Sequence, residues 1–151
     1  MHLRIAFILI ASFVLSSCGS DRALEVRPTH LRNLEIEDAG KPMSRGDQRR
    51  LLYGAIGVRE QEQRLGHYYV VLWDNDQVGE PVKVVFEYQQ GSTGSIVHRK
   101  VQEFDGSDTS GRAEFKIVGD DYLKGGRVLA WKCSLYRGDV EVAKRHSYLW
   151  Q

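Results

Sequence analysis

The chain has 151 residues, 21 of them basic and 20 acidic. That length suits one domain with a continuous core, and the balance of charge excludes the concentrated basic surface that binding to nucleic acid requires. Two cysteines, Cys18 and Cys133, are too few for a disulfide-stapled scaffold.

At the start, Met1-His2-Leu3-Arg4 leads into the apolar run 5–15 and then Ser16-Ser17-Cys18. One positive charge, a short apolar segment and small residues at its end form the secretory pattern, and the run is too short for a permanent membrane span of about 20 residues. Leu15-Ser16-Ser17-Cys18 resembles the lipobox of bacterial lipoproteins, a branched aliphatic residue, two small ones and the cysteine that is modified. The resemblance implies diacylglycerol transfer to Cys18, removal of residues 1–17 as a signal peptide, and a lipoprotein held on a membrane of the cell envelope. Two or three acyl chains, palmitate among them, make such attachment durable where one is marginal. Gly19 follows Cys18 instead of an aspartate; by the same resemblance, a Gram-negative host would sort the protein to the outer membrane, facing the periplasm. Arg4 is the one charged residue of the removed segment, so the remainder carries 20 basic against 20 acidic residues. With Cys18 acylated, Cys133 has no partner within the chain and is expected to be a buried, inert thiol.

Residues 18–42 are polar and aperiodic and read as a tether, with Arg27-Pro28 and Lys41-Pro42 biased toward extended or turn conformations. Leu31, Leu34 and Ile36 leave room for a short edge strand there. Ser44-Arg45-Gly46-Asp47 resembles a capping box with aspartate in place of glutamate, and Leu51, Leu52, Ala55 and Ile56 follow at helical spacing. A short helix over 45–56 is expected; residues 51–56 also suit a strand.

From His67 the apolar period becomes two, and strands are predicted over 67–73, 81–88, 96–104, 112–117, 127–136 and 140–150. Turn residues such as Asp74-Asn75-Asp76 and Arg137-Gly138-Asp139 separate them. Ala113, Phe115 and Ile117 alternate with Arg112, Glu114 and Lys116, the mark of a strand with one buried face. The same alternation puts Leu129, Trp131, Cys133 and Leu135 on one face, in the core. Short strands with almost no helical period between them predict a mainly β protein, an antiparallel β-sandwich with one short N-terminal helix, as a single domain over 43–151. Trp131-Lys132-Cys133 on the penultimate strand resembles the Tyr-x-Cys segment of immunoglobulin folds. The architecture implied is immunoglobulin-like or transthyretin-like.

Candidate chemistry is sparse. None of His30, His67, His98 and His146 lies at metal-ligand spacing from another or from a cysteine, and strand surfaces or ends are the expected places for His67 and His146. The segment beginning Asp74-Asn75-Asp76 opens like a calcium loop, but Val78 and Val85 stand where oxygen ligands belong. No Gly-x-Ser-x-Gly elbow occurs, and pairs drawn from Glu60, Glu62, Asp105, Asp108 and Asp120 have no catalytic spacing. Arg45-Gly46-Asp47 and Arg137-Gly138-Asp139 resemble the integrin-binding tripeptide, yet a helix cap and a tight hairpin demand the same residues. Rigid aromatic rings are favoured at protein interfaces and stack on sugars, which makes Trp73, Tyr148 and Trp150 the candidate ligand-binding residues; the same rings would also fill a sandwich core. The expectation is a lipid-anchored envelope protein, not an enzyme, whose domain binds another protein or stabilises an assembly. The alternative is a carbohydrate- or peptidoglycan-binding module. No cofactor, metal or nucleic acid is expected.

Overall fold

The alternation of apolar and polar residues sorts the chain into strands that bury one face each. A computed structural model describes residues 23–32, 42–74 and 78–150. Its strands are β1 (Leu24–Leu31), β2 (Gly66–Asp74), β3 (Val82–Gln90), β4 (His98–Phe104), β5 (Ser110–Val118), β6 (Val128–Arg137) and β7 (Val140–His146), with helices α1 (Pro42–Leu52), α2 (Val58–Glu62) and α3 (Asp120–Gly125). One sheet has the order β1-β2-β5 and the other β4-β3-β6-β7, all neighbours antiparallel. The first, second and fifth strands oppose the third, sixth and seventh, as in immunoglobulin-like sandwiches, and the fourth pairs with the third instead of the fifth.

Phe86 on β3 lies at the centre of the core between the sheets. Its ring sits 4.5 Å from Tyr69, stacks on Phe115 at 5.2 Å and meets Trp131 at 6.0 Å, centroid to centroid. Val71, Val84, Ile117, Cys133 and Leu135 complete it. On β5 the buried Ala113, Phe115 and Ile117 alternate with exposed Arg112, Glu114 and Lys116, as the pattern predicts.

The structure departs from the sequence expectations in four places. Leu129 is 54% exposed: the register of β3 and β6 steps from Gln89 opposite Ala130 to Gln90 opposite Val128, so a bulge leaves Leu129 unpaired and sends Val128 to the core in its place. Leu24–Leu31, assigned to the tether, is the first strand, with Leu24 and Leu31 buried at its two ends. The predicted helix ends at Leu52, ahead of Gly54 at φ +83°, and two further short helices form, α2 and α3. The last strand stops at His146, where Ser147 turns back on β6: its amide donates to Trp131 O (2.9 Å) and its hydroxyl accepts from Trp131 N (3.0 Å).

Side chains close both open flanks of the sandwich. On β4, the Gln102 carboxamide donates to Glu114 O (2.7 Å) and accepts from Glu114 N (3.2 Å), and Lys100 Nζ donates to Lys116 O (2.9 Å), occupying the free edge of β5. On β7, Arg145 Nε donates to Leu24 O (3.1 Å), which ties β1 to the opposite sheet. Pro28 has no amide to offer a passing strand, which suits its place on the edge strand β1.

Candidate functional site

Cys18, the proposed lipidation site, lies outside the described residues. Five residues separate it from Leu24, where β1 begins.

The three candidate aromatics part company. Trp73 is a core residue, 2% exposed, with its ring edge-on to Phe104 at 5.1 Å. Its indole lies over Gly111, the residue opposite on β5, where a Cβ would come within 2.6 Å of the ring. Trp73 therefore offers no stacking surface to a ligand. Tyr148 is 97% exposed, and Trp150 is half-buried with Lys132 Nζ 5.4 Å from the centroid of its ring. Lys132 in turn pairs with Glu87 at 2.7 Å, so this aromatic surface borders a neutralised charge pair on the outer face of the four-stranded sheet.

The arginine of Arg137-Gly138-Asp139 is unavailable to a receptor. Arg137 is 4% exposed, and its guanidinium donates to Glu80 O (2.7 Å), Gly106 O (3.2 Å) and Asp108 O (2.9 Å). The other tripeptide falls within α1, where Asp47 pairs with Arg50 at 3.4 Å. Three of the carboxylates named from the sequence have local duties. Glu60 accepts from the amides of Ile56 and Gly57 at the start of α2, which hold its carboxyl below the usual range. Asp105 closes a turn by accepting from the Ser107 amide and hydroxyl, and Asp120 bonds Lys124 at 2.9 Å. Cys133 is fully buried, and burial pushes its thiol up to about 12.

Sequence reading missed one cluster. His30 on β1 and His67 on β2 are paired on neighbouring strands, with rings stacked 3.8 Å apart and their planes 10° from parallel. Tyr122 of α3 stands edge-on to both, its hydroxyl 2.9 Å from His30 Nε2. His67 is 8% exposed, and among the described residues its buried Nε2 has no hydrogen-bond partner. Burial first, then the charge of His30 and of the Arg127 guanidinium, lowers the His67 pKa to about 4, and burial together with Arg127 and Arg32 lowers that of His30. Strand parity held the missing signal. His67 is two residues before Tyr69 and four before Val71, on the same core-facing side as both. His98 instead stacks on Tyr88 at 5.2 Å, and His146 is exposed. Among the described residues, no group of three or more His, Cys, Asp or Glu side chains is arranged to hold a metal ion.

Along the outer face of the three-stranded sheet, α1 leaves a groove lined by Leu51, Tyr68, Val70, Arg112 and Lys116. At about 230 Å³ it is smaller than the roughly 300–1,000 Å³ of ligand pockets. Comparison of the chain with family models, curated proteins and solved structures found no match.

Proposed function

We propose that this chain is a lipid-anchored protein of the bacterial cell envelope, whose immunoglobulin-like domain binds or braces another envelope component without catalysing a reaction. The observation that carries the reading is Leu15-Ser16-Ser17-Cys18 behind a short apolar segment. The fold supports it by starting soon afterwards: the six steps of chain from Cys18 to Leu24 reach at most about 20 Å, so a lipid on Cys18 would hold the sandwich close to the bilayer. Cys18→Ser should yield a precursor that takes up no labelled palmitate; equal labelling of variant and parent would refute the reading. Crosslinking in the native envelope then identifies the partner.

Exposed Tyr148 beside Trp150 favours a second reading, in which the domain stacks on a sugar of the peptidoglycan or another polysaccharide. In that case Tyr148→Ala should lose retention on isolated peptidoglycan while melting like the parent. Unchanged retention removes it.

A further inference from the structure

β1 is an edge strand with one hydrogen-bonded neighbour, β2, and is fastened at its two ends. At the Leu24 end the fastening is apolar burial and the Arg145 bond to Leu24 O. At the Leu31 end it is the burial of Leu31, the stack of His30 on His67 and the bond between His30 and Tyr122. The stretch between, which includes Glu25, Arg27 and Pro28, is exposed. The second fastening includes two imidazoles, which can acquire charge.

We propose that His30, His67 and Tyr122 form a proton-operated latch on β1: with both imidazoles neutral the strand is held in the sheet, and with both charged it opens from its Leu31 end. Two imidazolium rings stacked 3.8 Å apart, that of His67 buried and that of His30 part-buried, would repel at close range. A proton added to His67 Nε2 would find no acceptor among the described residues. The surroundings offer no relief. Ile117 of β5, opposite His67, is apolar; Tyr69 of β2, 6.1 Å from His67, is a phenol whose pKa burial pushes up; Tyr122 is the hydroxyl bonded to His30. The formal charges that act on the pair are those of Arg127 and Arg32, both positive. Opening frees both rings to regain ordinary imidazole basicity, so acid favours the open strand.

The expected size follows from His67 alone. A residue that titrates near 4 in the latched state and near 6.5 when released shifts the opening equilibrium by roughly 50–100-fold between pH 7.5 and 4.5. Where Cys18 is acylated, as proposed above, opening would lengthen the chain between lipid and domain from five residues to 23, those that precede Pro42 at the start of α1. That consequence rests on the anchoring reading, while the latch does not.

Hydrogen exchange on the full chain, followed by mass spectrometry at pH 7.5 and 4.5 and corrected for intrinsic exchange, separates the outcomes. The latch requires Leu24–Leu31 to exchange faster than Val128–Arg137 at both pH values, its protection to drop about 50–100-fold in acid, and His67→Phe to flatten the change. Equal protection of the two strands at pH 4.5, no loss in β1, or an unchanged acid response in His67→Phe overturns it. If His67→Phe does not fold, NMR titration of the parent decides: the latch needs both rings to titrate below the ordinary imidazole range, and independent titration near 6.5 overturns it. The palmitate experiment on Cys18→Ser has no bearing on these readings, so either proposal can fail alone.

Discussion

Replacing Arg137 with lysine tests how one side chain holds an end of the sandwich together. β6 delivers Arg137 to the place where the β2–β3 and β4–β5 connections meet, and its guanidinium fork bonds the carbonyls of Glu80, Gly106 and Asp108 at 2.7, 3.2 and 2.9 Å. Lysine keeps the charge but concentrates its donors on one nitrogen, which cannot span three carbonyls that two separate guanidinium nitrogens serve. Losing two bonds from a charged donor, each worth about 1.5–3 kcal/mol and partly replaced by water at the rim, should cost about 2–4 kcal/mol. That is a large part of the roughly 5–15 kcal/mol that stabilises a domain. Urea unfolding of Arg137→Lys should show a lower midpoint at an unchanged slope. Asp139→Glu, at the exposed hairpin tip beside it, should unfold like the parent. A midpoint for Arg137→Lys equivalent to less than about 0.5 kcal/mol of change would refute the reasoning, since the three bonds would then be contributing nothing.

Acid should weaken the whole fold as well as the latch. The folded pKa of His67 is depressed below its unfolded value, so the folded state binds fewer protons there; the stability this represents is full above pH 6.5 and is lost as pH falls toward 4, by about 3 kcal/mol in chemical denaturation at pH 4 against pH 7. Cys133 should not react with a thiol reagent in the folded protein and should react once urea unfolds it; rapid labelling of the native form would mean that β6 faces the other way. Gly66→Ala should fail to fold or lose more than about 3 kcal/mol by thermal melting, because at φ +143° its new Cβ would lie 2.1 Å from Ile117 O; a melting point within a degree of the parent would contradict the strand pairing.

Strand alternation was legible wherever one face met the core and the other met water, which is why β3 and β5 read directly. Β6 was legible in type, and Cys133 and Leu135 in direction. Leu129 was not, because a bulge moves one residue out of phase and leaves no local mark in the residues themselves. β1 escaped because an edge strand buries little: charges and a proline along its length resemble a tether, and only pairing with β2 shows it to be part of the sheet. Helix α3 was hidden in what reads as a glycine-bounded connection over Tyr122. Of the candidate aromatics, period two placed Trp73 on the same face as Tyr69 and Val71, so its burial was readable; Trp150 depended on where the last strand ended. His30 and His67 lie 37 positions apart, and nothing short of the β1–β2 register brings them together.

Gln102 has a meaning that no melting curve of dilute protein would reveal. Its carboxamide presents β5 with one donor and one acceptor, the pair that the peptide group of an incoming strand would offer, so the edge already holds a counterfeit of its next neighbour. Molecules gathered on a surface meet flank to flank far more often than molecules tumbling in solution, and each encounter tests whether a strand from one copy can extend the sheet of another. Gln102→Val would take both groups away, and its expected cost is slow polymerisation along β5 in concentrated protein.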